Sequence, residues 1–238
     1  MSYRVTVFAY NFSHRKTRDI LIGLNFFDIK NVLVIAAPKV NLKHNNSKQF
    51  TTLKNDQKDD HPRDLCKKFN FIYEVCAHDN FSEIKSYTTG VNSNIAIISG
   101  ARIIQKNVID LFRYGIINYH PGALPETSGL DSFYWMIKKN ARPVASAHFI
   151  NSKVDAGELI EEHPVHINSK DTIKIVQYNL YSAQLKLHQK ICEKIVNNES
   201  FNTSTILRPL KNNLMQQEEK DLVLKSFDRW KKNYSVFK

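Results

Sequence analysis

The stretch INYHPGALPETSGLDSFYW, residues 117–135, puts an amide, Asn118, and an imidazole, His120, two positions apart at the close of an apolar run. If that run is a β-strand, both side chains project to one face at its carboxyl end. In open α/β sheets ligands gather at that edge. Pro121, Gly122 and Pro125 then make a rigid turn and Gly129 permits another sharp bend, so the imidazole is held on scaffolding with little freedom. A carboxylate, Asp155, follows in HFINSKVDAGELI, in a loop leading to a later strand. A carboxylate beside a histidine raises its basicity and fixes its tautomer, and an amide N–H can donate to an oxygen gaining negative charge. Together these are parts for acyl transfer to an amine. Each residue alone has a plainer reading: Asn-x-His-Pro can cap a turn, and Asp-x-Gly is itself a common turn. The combination carries the chemistry.

The elements that must position these residues are legible as an alternation. Short β-branched runs at 4–9, 32–37, 71–77, 94–99 and 116–120 read as strands buried on both faces, with helical periods at 17–27, 61–69 and 107–113 between them. Right-handed crossovers place these strands in one α/β, doubly wound, mostly parallel sheet. Residues 41–60 are polar and aperiodic, a long surface loop. Residues 132–140 read as a helix and 146–150 and 159–167 as two late strands. A long helix follows, with Ile173, Val176, Leu180, Ala183, Leu187 and Ile191 on one face. Residues 1–200 form the main domain and 201–238 a small helical extension. In that extension, 217–232 reads as one helix whose stripe of Leu222, Val223, Phe227 and Trp230 suits either a dimer surface or packing on its own domain.

Composition narrows the class. Of 238 residues, 42% are hydrophobic and 24% charged, the balance of a soluble globular protein, and no apolar run approaches the roughly 18 to 20 residues that cross a bilayer. The amino terminus lacks the layout of a secretory signal, so a cytoplasmic protein without a membrane partner is expected. Three scattered cysteines, none in a C-x-x-C arrangement, predict neither a metal site nor a disulfide. The formal charge of +11 comes from lysines strewn along the chain, the mark of a solvated basic surface rather than a nucleic-acid footprint.

Taken together, Asn118-Tyr-His120-Pro-Gly-Ala-Leu-Pro125, Gly129, His148-Phe-Ile150 and Asp155-Ala-Gly157 resemble the signature of the 10-formyltetrahydrofolate-dependent formyltransferases. The segment from Ser99 to Ile104 is similar to that family's folate-binding strand end. The likeness is strong over 94–167 and loose over the earlier strands. It implies a Rossmann-like formyltransferase fold, a catalytic triad of Asn118, His120 and Asp155, and 10-formyltetrahydrofolate as formyl donor. It also implies a folate cradle of Gly100, Ala101, Arg102, Ile103 and Ile104 with Lys153 and Val154, made by main chain rather than by the Arg102 guanidinium. His148 belongs to the pattern but sits inside a strand, and reads as a supporting residue.

The choice of acceptor rests on differences within the family. Methionyl-tRNA formyltransferases carry a further C-terminal barrel domain of about a hundred residues, which the stretch after Ser200 does not supply. Glycinamide ribonucleotide formyltransferases hold the substrate phosphate with a Gly- and Ser-rich loop after the first strand and usually have His-Pro-Ser. This chain has AYNFSHRK and His120-Pro-Gly122 at those places. The resemblance therefore implies a sugar N-formyltransferase acting on a nucleotide-linked amino sugar, such as a dTDP- or UDP-linked 4-amino-4,6-dideoxyglucose, toward a surface polysaccharide such as the O-antigen of lipopolysaccharide. Arg15, Lys16 and Gly122 are its candidate substrate contacts, and a homodimer is expected. The alternatives are glycinamide ribonucleotide formylation and a folate- or sugar-nucleotide-binding module without turnover.

Overall fold

Runs of Val, Ile and Ala that leave neither face wet become the middle of the sheet. The computed structural model describes residues 2–39, 60–151, 157–207 and 211–235. In it β1 (Val5–Tyr10), β2 (Val32–Ala37), β3 (Ile72–Val75), β4 (Ile95–Ile98) and β5 (Ile116–His120) pair in parallel. Then β6 (Val144–Ile150), β7 (Gly157–Pro164) and β8 (Ser204–Thr205) add on antiparallel, giving the order β3-β2-β1-β4-β5-β6-β7-β8. The order reverses at the β1/β4 boundary, the switch point expected of a doubly wound sheet. Apolar side chains of α1 (Arg15–Phe26), α2 (Pro62–Phe69), α5 (Ser132–Lys138), α6 (Ile173–Val196), α7 (Gln217–Leu224) and α8 (Phe227–Tyr234) share one buried cluster with one face of the sheet. On the other face α3 (Phe81–Gly90) and α4 (Lys106–Ile109) close a second cluster around Phe8, Leu33, Ile35 and Ile116.

Several expectations shift in detail. The helix expected at 107–113 is the short α4, and the single helix expected at 217–232 is two, separated at Lys225–Ser226. The 71–77 strand shortens to four residues because it is an edge strand, with Ile72 and Val75 exposed. Helix α3 went unread, since only Ile84 and Thr88 of it are buried. Its signal was its cap: Asn80 Oδ1 accepts from the Glu83 amide at 3.3 Å, with Glu83 in the first turn. The 41–60 loop falls almost wholly outside the described residues. Of the apolar stripe in the C-terminal extension, Val223, Phe227 and Trp230 are buried and only Leu222 is exposed. The Trp230 indole also donates to the Ala141 carbonyl at 3.0 Å. The stripe packs on its own chain, so a dimer would have to use another surface.

One polar cluster ties the core to β5. His188 on α6 is fully enclosed; its Nε2–H donates to the Ile20 carbonyl at 3.0 Å, which leaves Nδ1 to accept from the Tyr119 hydroxyl at 3.0 Å. Gly23 on α1 makes room for the ring, since a Cβ there would lie 2.7 Å from His188 Nε2. Burial pushes the His188 pKa down to about 4, with the Lys16 charge adding to the effect and the Ile20 bond opposing it. Between that value and the ordinary 6.5 the unfolded chain binds a proton that the folded chain refuses, so stability is full above 6.5 and falls as pH drops toward 4. The span corresponds to about 3 kcal/mol. In urea unfolding from pH 7 to pH 4, wild-type protein is expected to lose about that much more stability than His188→Gln. Parallel losses in the two proteins would remove His188 as the cause.

Candidate active site

The alternation of β5 sends Ile117 and Tyr119 into the core and turns Asn118 and His120 to the other face, at the carboxyl end of the strand. Antiparallel pairing then sets Asn118 opposite His148 and His120 opposite Ser146 on β6. Cross-strand neighbours of this kind touch. The Asn118 Nδ2 lies 3.3 Å from His148 Nε2, and His148 Nδ1 lies 3.2 Å from the Phe149 carbonyl oxygen. A carbonyl only accepts, so His148 Nδ1 carries the proton and Nε2 accepts from the amide. His148, wholly buried, thus fixes which way the Asn118 amide faces and engages one of its two N–H protons. His148 therefore meets Asn118 from inside the strand and is not among the described residues lining the cavity.

His120 is anchored as firmly. Only 3% exposed, it places Nε2 at 2.9 Å from the Thr127 carbonyl oxygen and 3.1 Å from Thr127 Oγ1. The Thr127 hydroxyl gives its own proton to the Ala123 carbonyl at 2.8 Å, so toward the ring it can only accept. Both contacts require a proton on Nε2. The nitrogen that gains and loses a proton is therefore Nδ1.

Gly122 belongs to this anchor. A Cβ on it would lie 2.1 Å from Thr127 Oγ1 and 2.9 Å from Thr127 Cβ, and its carbonyl accepts from the Ser146 hydroxyl at 2.7 Å. Gly122→Ala must displace Thr127 and with it both acceptors of the His120 ring. A displacement near 1 Å at a reacting group costs about a hundredfold in rate, and a loss of that order in kcat/KM is expected, together with a lower melting temperature because Thr127 is buried. Activity within threefold of wild type would detach Thr127 from the site.

Asn118 and His120 open on a cavity of about 450 Å³ whose walls include Ala101, Arg102, Ile103, Ile104, Gly129, Leu130, Asp131, Ile150 and Asn151. Ile103 and Leu130 form exposed apolar lips, 78% and 60% accessible. Four residues of the expected cradle, Ala101 to Ile104, are thus brought beside the pair. Arg102 turns its guanidinium to the Pro38 carbonyl at 3.1 Å. Gly100 lies behind the wall, where a Cβ would come within 2.7 Å of the Tyr10 ring. Lys153, Val154 and Asp155 lie outside the described residues.

The expected substrate contacts fare differently. Arg15 and Lys16 are not among the described residues lining the cavity. The Arg15 guanidinium stacks 4.6 Å from the Tyr181 ring centroid and pairs loosely with Asp19, while Lys16 Nζ donates to the Tyr119 carbonyl at 3.0 Å, between Asn118 and His120. The end of β1 and the loop after it, at the switch point, hold aromatic rings: Tyr10, the last residue of β1, stacks on Phe12 with centroids 5.0 Å apart, and its hydroxyl donates to the Ala101 carbonyl at 2.9 Å. Thr127 is the functional neighbour that sequence reading missed. No spacing rule links a strand-end histidine to a threonine seven residues on, and the one trace was a glycine at 122 where a larger residue cannot fit.

The family described as Formyl transferase matches residues 30–222. The methionyl-tRNA formyltransferase of Buchnera aphidicola is 26% identical over 121 residues, covering 50% of this chain and 38% of that protein. The chain spans about half or less of the length of the curated relatives it matches. Among solved structures, phosphoribosylglycinamide formyltransferase from Anaplasma phagocytophilum superposes with a TM-score of 0.62 at 14% identity, covering 90% of this chain and all of that one. The N-formyltransferase of Helicobacter canadensis, in complex with folinic acid and dTDP-3-aminofucose, superposes with a TM-score of 0.60 at 17% identity, covering 94% of this chain and 80% of that one.

Proposed function

Because this chain belongs to the formyl transferase family, we propose that it transfers a formyl group from 10-formyltetrahydrofolate to the primary amine of a nucleotide-linked amino sugar. The observation that carries this reading is the pair Asn118 and His120 on one strand end over the cavity, each with its orientation set by the chain's own groups. The donor, when bound, supplies an activated formyl carbon. The Asn118 amide donates to the formyl oxygen as the acceptor nitrogen bonds to that carbon and the oxygen gains charge. His120, protonated on Nδ1, stabilises the same charge. The bond from the formyl carbon to the folate nitrogen then breaks; the acceptor nitrogen loses one proton and the folate nitrogen gains one, passed along His120 with the support of Asp155, the role the family signature gives that carboxylate. The segment Ala101 to Ile104 would hold the pterin through its main chain, and the Ile103 and Leu130 lips would cover the rest of the donor.

Two features support an amino-sugar nucleotide as acceptor. The loop after β1 has no glycine run to receive a substrate phosphate, and the Tyr10 ring at the end of β1 packs over Gly100 at the switch point. The Helicobacter canadensis enzyme, superposed over most of its length, was crystallised with a dTDP-linked amino sugar. The test is incubation with 10-formyltetrahydrofolate and a panel of dTDP- and UDP-linked amino sugars together with glycinamide ribonucleotide, followed by mass spectrometry. An amino-sugar nucleotide is expected to gain the mass of one formyl group. Formylation of the ribonucleotide alone would overturn the acceptor class, and an unchanged donor with every amine would overturn transfer itself. No helix among the described residues is long and apolar enough to cross a membrane.

A further inference from the structure

The segment after β8 returns to the site and grips the loop that holds His120. Residues 211–216 run beside 126–131: the Asn212 amide donates to the Ser128 carbonyl at 3.0 Å, and Gly129 and Asn212 form a parallel bridge. A Cβ on Gly129 would lie 2.4 Å from the Asn212 carbonyl oxygen, so the approach depends on that glycine. The Asn212 side chain, 7% exposed, uses every polar group it has. Its Nδ2 donates to the Glu126 carbonyl at 2.9 Å and to the Ser128 carbonyl at 2.7 Å, and its Oδ1 accepts from Lys139 Nζ at 2.5 Å. Those two carbonyls flank Thr127, whose own carbonyl and hydroxyl hold the His120 ring. Further along, the Met215 amide donates to Asp131 Oδ2 at 3.0 Å and Lys220 pairs with Asp131 Oδ1 at 2.9 Å, fixing a residue of the cavity wall.

We propose that Asn212 is a positioning residue for His120, acting through Thr127, so that the C-terminal extension is part of the reactive site and not an appendage. The kinetic part of this inference rests on the formyl-transfer reading; the ring tautomer does not. Two donors facing two carbonyls on either side of one residue fix that residue's peptide planes. An aspartate of the same size would place an oxygen against both carbonyls and push the loop away. The 126–128 backbone then relaxes, and Nε2 of His120 loses its reason to keep the proton.

The experiment follows the His120 ring nitrogens by NMR across pH in wild type, Asn212→Asp and Asn212→Ser, with the signals assigned by their loss in His120→Gln and folding checked by circular dichroism and thermal melting. In wild type Nε2 is expected to stay protonated throughout while Nδ1 titrates. In the 212 variants a mixture of tautomers is expected at neutral pH, with kcat/KM for formyl transfer about ten- to hundredfold lower and its pH profile displaced. Lys139→Met removes the partner of the Asn212 oxygen and a second donor to the Glu126 carbonyl, at 2.9 Å, but leaves both Asn212 donors in place; it is expected to keep the wild-type tautomer. Ring signals unchanged in a folded 212 variant would overturn the proposal, and so would failure of both 212 variants to fold, because Asn212 would then serve the fold as a whole. A tautomer shift in a protein whose wild type formylates no amine would uphold Asn212 as a positioning residue and sink the formyl-transfer reading instead.

Discussion

Replacing His120 by Asn is expected to lower kcat for formyl transfer about a thousandfold while leaving the dissociation constant for the folate donor within threefold. The size follows from the two tasks that the proposed mechanism gives the ring. As a proton carrier positioned on the reacting group it contributes on the order of a hundredfold to ten-thousandfold, and as a cation near the developing oxyanion it adds charge stabilisation. Asparagine carries no exchangeable charge, and its amide reaches only as far as the ring's Nδ1, so the Nε2 contacts with Thr127 are given up as well. Donor affinity is spared because the walls at Ala101 to Ile104 and Leu130 are untouched. The pH profile of the variant should also lose the limb that belongs to the imidazole. A drop of less than tenfold, or a loss confined to KM, would mean that the ring binds substrate and moves no proton.

Asn118→Ala is the second large effect. Removing one oxyanion donor costs about a hundred- to a thousandfold, roughly 3 to 4 kcal/mol of transition-state stabilisation. The ground state should barely notice, so the loss belongs in kcat. Asn118→Asp is expected to be at least as damaging, because an oxygen would face His148 Nε2, which accepts in the native arrangement, and a negative charge would stand where negative charge must develop. The double variant with His120→Asn should lose far less than the product of the two single effects, as happens when two groups act on one transition state. Full multiplicative losses would place the two residues in separate steps.

The residues that could be read from the sequence are those whose signal is local. A β-strand repeats every two residues, so Asn118 and His120 had to share a face once 116–120 was a strand, and the run of Ile and Val made it one. The α6 stripe was legible for the same reason, at helical period. What escaped was contact between distant segments. Nothing in the spacing of Gly122 and Thr127 announces that one lacks a side chain because the other fills its place. Asn212 lies more than eighty residues from the loop it grips, inside a stretch read as an appendage. Tyr10 over Gly100 is likewise a packing fact; both residues were visible, but the pairing depends on β1 and β4 being neighbours at the switch point. Helix α3 was missed because its buried stripe is thin, and the direction of the strands after β5 was left open: a helix separates β5 from β6, the spacing of a parallel crossover, yet the two pair antiparallel.

The most direct measurement supplies 10-formyltetrahydrofolate carrying an isotopic label in its formyl carbonyl, together with a dTDP-linked amino sugar, and follows the label by NMR in wild type and in Asn118→Ala. In wild type the label is expected to leave the folate and reappear only as the formamide of the sugar, at a rate at least about a hundredfold above the variant. Label appearing as free formate, or equal rates in the two proteins, would contradict the account.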